Sequence, residues 1–373
     1  MKEKLFLLLS ILITSFYGYS QNNKEITILY LLPFHLNEEN IASSSLRSSA
    51  DIHQMRQFEM MGFWLSAKMA LKEYENTDKT INVIVRDATT DKNALKKILE
   101  DSALMAPVDV IIGPFYGALF PTASEYAKNH NLTIINPFST RYDFVETNPA
   151  VYKLTPPFIS RPETIAERFL KDPEQYNVIL WGDSTTTIEM QAYKYYFNEH
   201  NIKYKEVHTL AIPQDIRKTN LIIALFEQQE RVIHAVHTLV NQEDEIEYNR
   251  IVVVPEKWLS ISELTEDFYN ISELFYFSNC FVAENSDRVK LFQFDYLYNN
   301  EAPADLADYA YQGYDITRYF IDLFFADFNH NEVQFEPLSY KFAWKQIEGG
   351  GFENVKTRLI QVKDLELHEA HDF

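Results

Sequence analysis

The sequence has a single cysteine among 373 residues, Cys280, so no intramolecular disulfide can form. Glycine is also scarce, and 9 glycines with 14 prolines exclude a fibrous or low-complexity chain. Cys280 lies in an apolar run at residues 275–282 and is predicted to be a small buried side chain. The length favours two globular units of about 150 residues, each large enough to bury a core.

Basic residues are few, because 34 Lys and Arg face 54 Asp and Glu, giving a formal net charge of −20. Such a chain repels nucleic acid and anionic membranes, and no local basic cluster offsets this, so no nucleic-acid partner is expected. Motifs for a nucleophile elbow, a phosphate loop or a zinc protease are absent, which favours a protein that is not an enzyme. His234 and His237 have no further ligand at metal spacing, so neither metal nor cofactor is predicted.

No apolar run reaches the roughly 20 residues that a membrane-spanning helix needs. Residues 5–16 are apolar, follow a charged start and precede small and polar residues, which is the layout of a secretory signal peptide. We therefore predict a signal peptide at residues 1–20 and a mature chain without a membrane span. No cysteine lies at the end of the predicted signal peptide, so no lipid anchor on an N-terminal cysteine is expected. Export without disulfides favours a periplasmic or secreted protein of a bacterial envelope.

Apolar strands alternate with helical patterns in the first half of the sequence, and each strand ends in turn residues. Strands are predicted at residues 25–32, 81–85, 108–112 and 132–136, with helices at 52–74, 91–104 and 119–129. A second series follows, with helices predicted at 162–171, 188–198 and 216–228 and strands at 177–181, 204–210, 232–239 and 251–254. This order predicts an α/β protein with two doubly wound parallel sheets joined near residue 150.

Several segments resemble a known family. The strands and turns at residues 109–116 (DVIIGPFY) and 132–139 (LTIINPFS), the later run at 309–316 (YAYQGYDI), and the helix containing Phe292 and Tyr296 follow each other in the family's order. On these motifs the chain resembles the type I periplasmic binding proteins, which include the branched-chain amino acid receptors of ABC transporters. The Gly-rich segment at 348–354 (EGGGFEN) resembles a bacterial subgroup often fused to peptidoglycan-binding modules.

The resemblance implies two lobes and a hinge where the chain crosses between them near Val151, Phe281 and Leu338. The expected N-terminal lobe comprises residues 21–150 and 282–337, and the expected C-terminal lobe comprises 151–281 and 338–373. In this family a ligand contacts one lobe, and rotation about the hinge then closes the other lobe over it.

The expected ligand-binding residues follow strands whose carboxyl ends face the cleft, where ligands of such sheets bind. They are Phe115, Tyr116, Ser139, Thr140, Asp183, Ser184, Glu256 and Trp258. An acidic side chain such as Asp183 or Glu256 could pair with a ligand amine. Other interpretations stay open: Ser139, Thr140, Asp183 and Ser184 could cap turns or helices, and Trp258 could belong to the core or to the lobe interface.

Two functions follow from the resemblance. The first is an exported receptor that closes on a small solute, amino-acid-like or derived from the cell wall, and delivers it to a permease or sensor. The second is an envelope interaction module of the same fold that regulates cell-wall synthesis through protein contacts. Phe115 and Tyr116 stand where amino-acid-binding relatives favour small hydroxyl residues, so a different ligand, or none, stays open.

Overall fold

The computed structural model describes residues 24–36, 60–183, 187–241, 248–264, 268–269, 273–304, 309–364 and 366–370. The predicted signal peptide, the first residues of the predicted helix at 52–74, and Ser184 lie outside these ranges.

Strands and helices alternate along most of the described chain. The strands are β1 (Glu25–Leu32), β2 (Thr80–Asp87), β3 (Val110–Ile112), β4 (Thr133–Asn136), β5 (Val151–Lys153), β6 (Tyr176–Trp181), β7 (Tyr204–Val207), β8 (Thr219–Ala224), β9 (Arg250–Pro255), β10 (Glu273–Ser278), β11 (Trp344–Gln346), β12 (Phe352–Asn354), β13 (Arg358–Lys363) and β14 (Glu366–Glu369). The helices are α1 (Met61–Lys72), α2 (Lys92–Glu100), α3 (Ser102–Met105), α4 (Phe120–His130), α5 (Asp143–Glu146), α6 (Ser160–Phe169), α7 (Thr187–Glu199), α8 (Gln229–Asn241), α9 (Asp287–Asn300) and α10 (Ala310–Phe325).

The strands form two seven-stranded sheets, in the orders β11-β12-β5-β4-β3-β1-β2 and β14-β13-β10-β9-β8-β6-β7. The first sheet is parallel except for β11, and in the second sheet β13 and β14 are antiparallel to their neighbours. The α/β class with two doubly wound sheets is therefore confirmed. We call the two units the first and the second domain.

Strand β1 shows why a nearly continuous apolar run forms a central strand. Ile28 and Tyr30 lie on the face of the sheet that α1 and α10 cover. Leu29 and Leu31 lie on the opposite face and pack against α2 and α4. Both faces are covered, as in parallel sheets generally. Helices α1 and α10 approach closely at Gly313, where a Cβ atom would lie 2.1 Å from the backbone oxygen of Phe63.

Two predicted elements in the second domain are wrong. Residues 216–228, predicted as a helix, contain strand β8, and residues 232–239, predicted as a strand, belong to helix α8. Strand β8 lies between β6 and β9 with both faces covered, so its run of apolar residues has no amphipathic period. In α8 the buried residues Val232, Ala235, Val236 and Leu239 follow a helical period that overrides the β-branched composition.

The division between the domains also differs from the prediction. Strands β5, β11 and β12 belong to the first sheet, although residues 151–153 and 344–354 had been assigned to the C-terminal lobe. The chain therefore crosses between the domains just after β5, close to the predicted Val151, and after β12 rather than near Leu338. Pairing of β12 with β5 is the physical reason, because it extends the first sheet before the chain leaves it.

Buried hydrogen bonds fix the part of the first domain that borders the hinge. The fully buried carboxylate of Asp315 accepts hydrogen bonds from the backbone N–H groups of residues 338–340 at 2.7–3.1 Å. Arg358 donates to the backbone carbonyl of Phe281 at 2.9 Å and thus joins two crossing segments. Burial raises the pKa of Asp315 to about 6, although the hydrogen bonds it accepts oppose this shift.

Cys280 lies in one of these crossing segments and is half-buried, not buried as predicted. The apolar run at 275–282 stops being a strand at Ser278, so the thiol leaves the sheet core. Burial of the sulfur atom still raises the pKa of its thiol to about 12.

Candidate functional site

The carboxyl edges of both sheets lie toward the hinge. The chain leaves the first sheet at the carboxyl ends of β5 and β12, and it leaves the second sheet at the carboxyl end of β10. Because the crossing segments join these ends, the two edges border the same space, where ligands of such sheets bind. The predicted site residues within the described ranges all follow strands at these edges.

Aromatic rings form much of the first domain's edge. The half-buried ring of Phe115, after β3, packs edge-on against Phe63 with centroids 4.9 Å apart. It also contacts Phe138, after β4, at 5.4 Å, and Phe138 in turn contacts Tyr309 at 4.7 Å. Since these rings pack against one another and against the core, Phe115 is part of a connected apolar surface.

Tyr116 is held by a polar contact. Its hydroxyl lies 3.0 Å from Nε2 of His35, which is buried after β1. The carboxylate of Asp87 accepts hydrogen bonds from the backbone N–H groups of residues 34–36 at 2.8–3.1 Å. This carboxylate fixes the loop that carries His35, and through it the position of the tyrosine ring.

Ser139 and Thr140 follow β4 in a tight turn. The backbone N–H of Ser139 donates to Oδ1 of Asn136 at 3.0 Å, and its Oγ accepts from the backbone N–H of Arg141 at 3.2 Å. The geometry therefore gives the serine a turn-forming role, whereas Thr140 is exposed.

The second domain's edge contains a cavity of about 300 Å³ where β8, β9 and β10 end. It combines an apolar floor with charged walls, and its lining belongs entirely to the second domain. The lining residues are Arg161, Glu189, Tyr193, Ile223, Ala224, Leu225, Glu227, Val253, Val254, Pro255, Glu256, Lys257, Phe277 and Asn279. Below we call this cavity the second-domain pocket.

Arg161 is the most constrained cation of this pocket. Its Nη1 lies 2.5 Å from Oε1 of Glu189, and both side chains are only about one-fifth exposed. The guanidinium also lies over the rings of Phe158 and Phe277, at 5.0 and 5.4 Å from their centroids. Ion pairing and cation–π contact together fix the orientation of the arginine.

Glu256 and Lys257 lie side by side at the end of β9. One carboxylate oxygen of Glu256 accepts a hydrogen bond from Ser278 Oγ at 3.0 Å. Partial burial of the carboxyl group raises its pKa above the ordinary value, opposed by this hydrogen bond and by the charge of Arg161. Lys257 Nζ is 3.7 Å from a carboxylate oxygen of Glu227, and both side chains are largely exposed. The pocket thus presents an acid and a base together.

Trp258 does not belong to the site. Its side chain is completely buried, and its indole N–H donates to the backbone carbonyl of Phe226 at 2.7 Å. The ring packs against Phe226 and Phe268 in the second domain's core. A short 3₁₀ helix at Glu256–Ser260 turns it inward, so the core interpretation replaces the predicted ligand contact.

Asp183 is buried at the end of β6 and is not among the residues that line the second-domain pocket. Four further lining residues were not predicted from the sequence: Arg161, Glu189, Lys257 and Asn279. Asn279 directly follows β10 and could have been found from the end of that strand. Arg161 and Glu189 lie near the first residues of α6 and α7. The sequence does not show which end of each helix borders the hinge, so these two residues could not be predicted from it.

No protein-family model and no curated protein sequence matches the chain. Solved structures are similar to it in fold. A putative branched-chain amino acid ABC transporter protein from Rhodospirillum rubrum has a TM-score of 0.64 at 11% identity, covering 93% of this chain and 100% of that one. An ABC transporter substrate-binding protein from Desulfitobacterium hafniense, also solved in complex with Leu, has a TM-score of 0.58 at 14% identity with the same coverage.

Full-length LpoA from Haemophilus influenzae has a TM-score of 0.57 at 13% identity, and the match covers 95% of this chain but 60% of LpoA. The chain therefore has the fold of the ABC transporter substrate-binding proteins, the type I fold that the sequence motifs resemble. Within the described ranges, every helix is too short or too polar to cross a lipid bilayer.

Proposed function

We propose that this protein is an exported receptor that binds a small zwitterionic solute in the second-domain pocket and closes the first domain over it. The observation that carries the proposal is the presence of an adjacent acid and base, Glu256 and Lys257, in the lining of a 300 Å³ cavity on the hinge side of the second sheet. This volume lies at the lower end of the range for small-molecule sites.

The charges of the pocket define the expected ligand. Glu256 offers a carboxylate to a ligand ammonium group, and Lys257 offers a cation to a ligand carboxylate. Arg161 is already paired with Glu189, which compensates its charge, so it contributes mainly a stacking surface. An amino acid, a short peptide or an amino-acid-containing cell-wall fragment has this charge pattern. The aromatic edge of the first domain would then cover the ligand's apolar part and exclude water.

The test is a thermal shift of the mature protein, residues 21 onward, with amino acids, short peptides, sugars and cell-wall fragments. A ligand at a hundred times its dissociation constant adds about 2.7 kcal/mol to the free energy of unfolding. We expect zwitterionic compounds to raise the midpoint and neutral sugars to leave it unchanged.

Two variants locate the binding. Glu256→Gln removes the charge of the pocket carboxylate and should weaken binding of the best ligand at least 10-fold by calorimetry. Glu163→Gln is the matched control, because Glu163 is exposed on α6 and does not line the pocket. Equal affinities for the two variants, or the absence of any shift across the panel, would contradict the proposal.

The alternative of an envelope interaction module is favoured by one observation, the mutual packing of Phe115, Phe138 and Tyr309. Because these rings already pack against one another, the first domain's edge would not need a solute to cover it. If no compound binds, a pull-down from envelope extract with the wild type and a Phe115→Ala variant tests this second function, and loss of a partner in the variant would support it.

A further inference from the structure

Helix α9 exposes a stripe of large apolar side chains. Leu291, Phe294, Leu297 and Tyr298 are 61%, 66%, 48% and 80% exposed. The opposite face of the same helix is packed inward, with Val289, Phe292 and Tyr296 in a buried cluster. The helix is therefore apolar on both faces, unlike a surface helix whose outer face only contacts water.

The stripe is large for a solvent-exposed surface. Four such side chains at these exposures present an apolar patch on the order of 500 Å², the upper part of the range that monomers show. A groove of about 520 Å³ between α1 and α9, lined by Leu291 and Tyr298 among others, extends it. A stable interface needs about 800 Å² from each partner, so the stripe supplies more than half of one.

The charge of α9 identifies the kind of partner. The helix carries Asp287, Arg288, Lys290 and Asp295, whose formal charges sum to zero, in a chain of net charge −20. Two copies of so acidic a protein repel each other over most of their surfaces, and a neutral apolar stripe is where this repulsion is weakest. A strongly basic partner would be expected to select an acidic surface instead.

The spacing of the stripe also fits self-association. Leu291, Phe294 and Tyr298 are three and four residues apart, the spacing at which helices pair along a seam. In an antiparallel pair about a two-fold axis, Leu291 of one copy meets Phe294 of the other. In this register Arg288 is offset from Asp295 of the second copy by two residues, about 3 Å along the helix, which its long side chain can span on both sides of the axis. Within its own chain, the guanidinium of Arg288 lies 3.5 Å from the highly exposed Glu336 and 5.2 Å from the centroid of the Phe335 ring, and 36% of the side chain stays exposed.

We propose that the protein forms a homodimer through antiparallel pairing of α9, with an apolar centre and two Arg288–Asp295 ion pairs between copies. The interface lies on the first domain, on α9, which packs against α1 and α10. It leaves the second-domain pocket unobstructed, and the proposal is independent of whether that pocket binds a solute.

Sedimentation velocity of the mature protein from about 1 to 100 µM measures the monomer–dimer equilibrium. We expect dimers whose dissociation constant rises about 100-fold in Phe294→Glu, because a central apolar contact is replaced by a buried charge. Ile188→Glu is the matched control, since Ile188 is 73% exposed on α7 of the second domain. It should leave the equilibrium unchanged.

A charge exchange tests the register. Arg288→Asp and Asp295→Arg should each weaken the dimer about 10-fold, and the double variant should restore it to within about threefold of wild type. A protein that stays monomeric throughout the concentration range, a Phe294→Glu variant that dimerises like wild type, or a double variant no better than the single ones would overturn the proposal. Circular dichroism of each variant verifies that the helix content is unchanged.

Discussion

The two sheet edges that border the hinge have similar strand topology but different side chains, aromatic in the first domain and charged in the second. The first domain's edge is a set of rings that pack on one another, from Phe63 through Phe115 and Phe138 to Tyr309. The second domain's edge is a cavity whose walls carry Arg161, Glu189, Glu256 and Lys257. If the proposed function holds, the charged edge selects a ligand and the aromatic edge covers it.

The largest expected effect distinguishes core residues from pocket residues at the second domain's edge. Trp258→Ala should lower the free energy of unfolding by about 4 kcal/mol, because a completely buried ring leaves a cavity. Urea denaturation monitored by circular dichroism measures this, with Lys257→Ala as the control at the neighbouring exposed position. A loss below about 1 kcal/mol for Trp258→Ala would mean that the ring faces the ligand after all.

The next effect concerns the buried carboxylate of Asp315, which accepts hydrogen bonds from a segment of the first domain that borders the hinge. Asp315 has a pKa of about 6 in the fold, above its ordinary value of 3.8. A carboxyl group shifted in this direction stabilises the fold while it is protonated, and this contribution is lost as the pH rises through about 6. The stability advantage of the wild type over Asp315→Asn should therefore shrink by roughly 2–3 kcal/mol between pH 4 and pH 7.

Denaturation of the two proteins in parallel at several pH values measures this difference and cancels the titration of the other carboxyl groups. An advantage that is constant, or that grows with pH, would show that the accepted hydrogen bonds outweigh the burial of Asp315.

Phe115→Ala tests whether the first edge is structural. Removing a half-buried ring that contacts two others should cost about 2 kcal/mol of stability. Phe115→Leu is the matched control, because it keeps apolar volume and should lose about half as much. Chemical denaturation gives both values, and two variants as stable as the wild type would refute a packed aromatic edge.

The smallest effect belongs to the charged edge. Glu256→Gln should change the free energy of unfolding by no more than about 0.5 kcal/mol, because the residue keeps access to water although its carboxyl group is partly buried, and because an amide still accepts the hydrogen bond from Ser278. The same denaturation assay applies. A loss as large as that of Phe115→Ala would make Glu256 part of the framework and remove the contrast between the edges.

The sequence predicted the sheets better than the site, for physical reasons. Strand β1 ends at a turn and is buried on both faces. The apolar pattern of its sequence therefore agrees with its position at the centre of the sheet. Strand β8 and helix α8 were exchanged because β-branched residues in α8 suggested a strand, while the buried spacing from Val232 to Leu239 is helical. Arg161 was missed because its position depends on where the chain crosses between domains, and strand pairing over long sequence distances determines that crossing.

The late strands of the chain have a consequence for its biosynthesis. Strand β12 pairs with β5, about 200 residues earlier, and β13 pairs with β10 in the second sheet. Neither sheet can be completed until the ribosome has made nearly the whole polypeptide. We therefore expect the nascent chain to lack a finished domain through most of its synthesis, and under the proposed export this delay would keep it unfolded for passage through a translocation channel. A chain that is shortened before β12 would lack β12 of the first sheet and β13 and β14 of the second sheet.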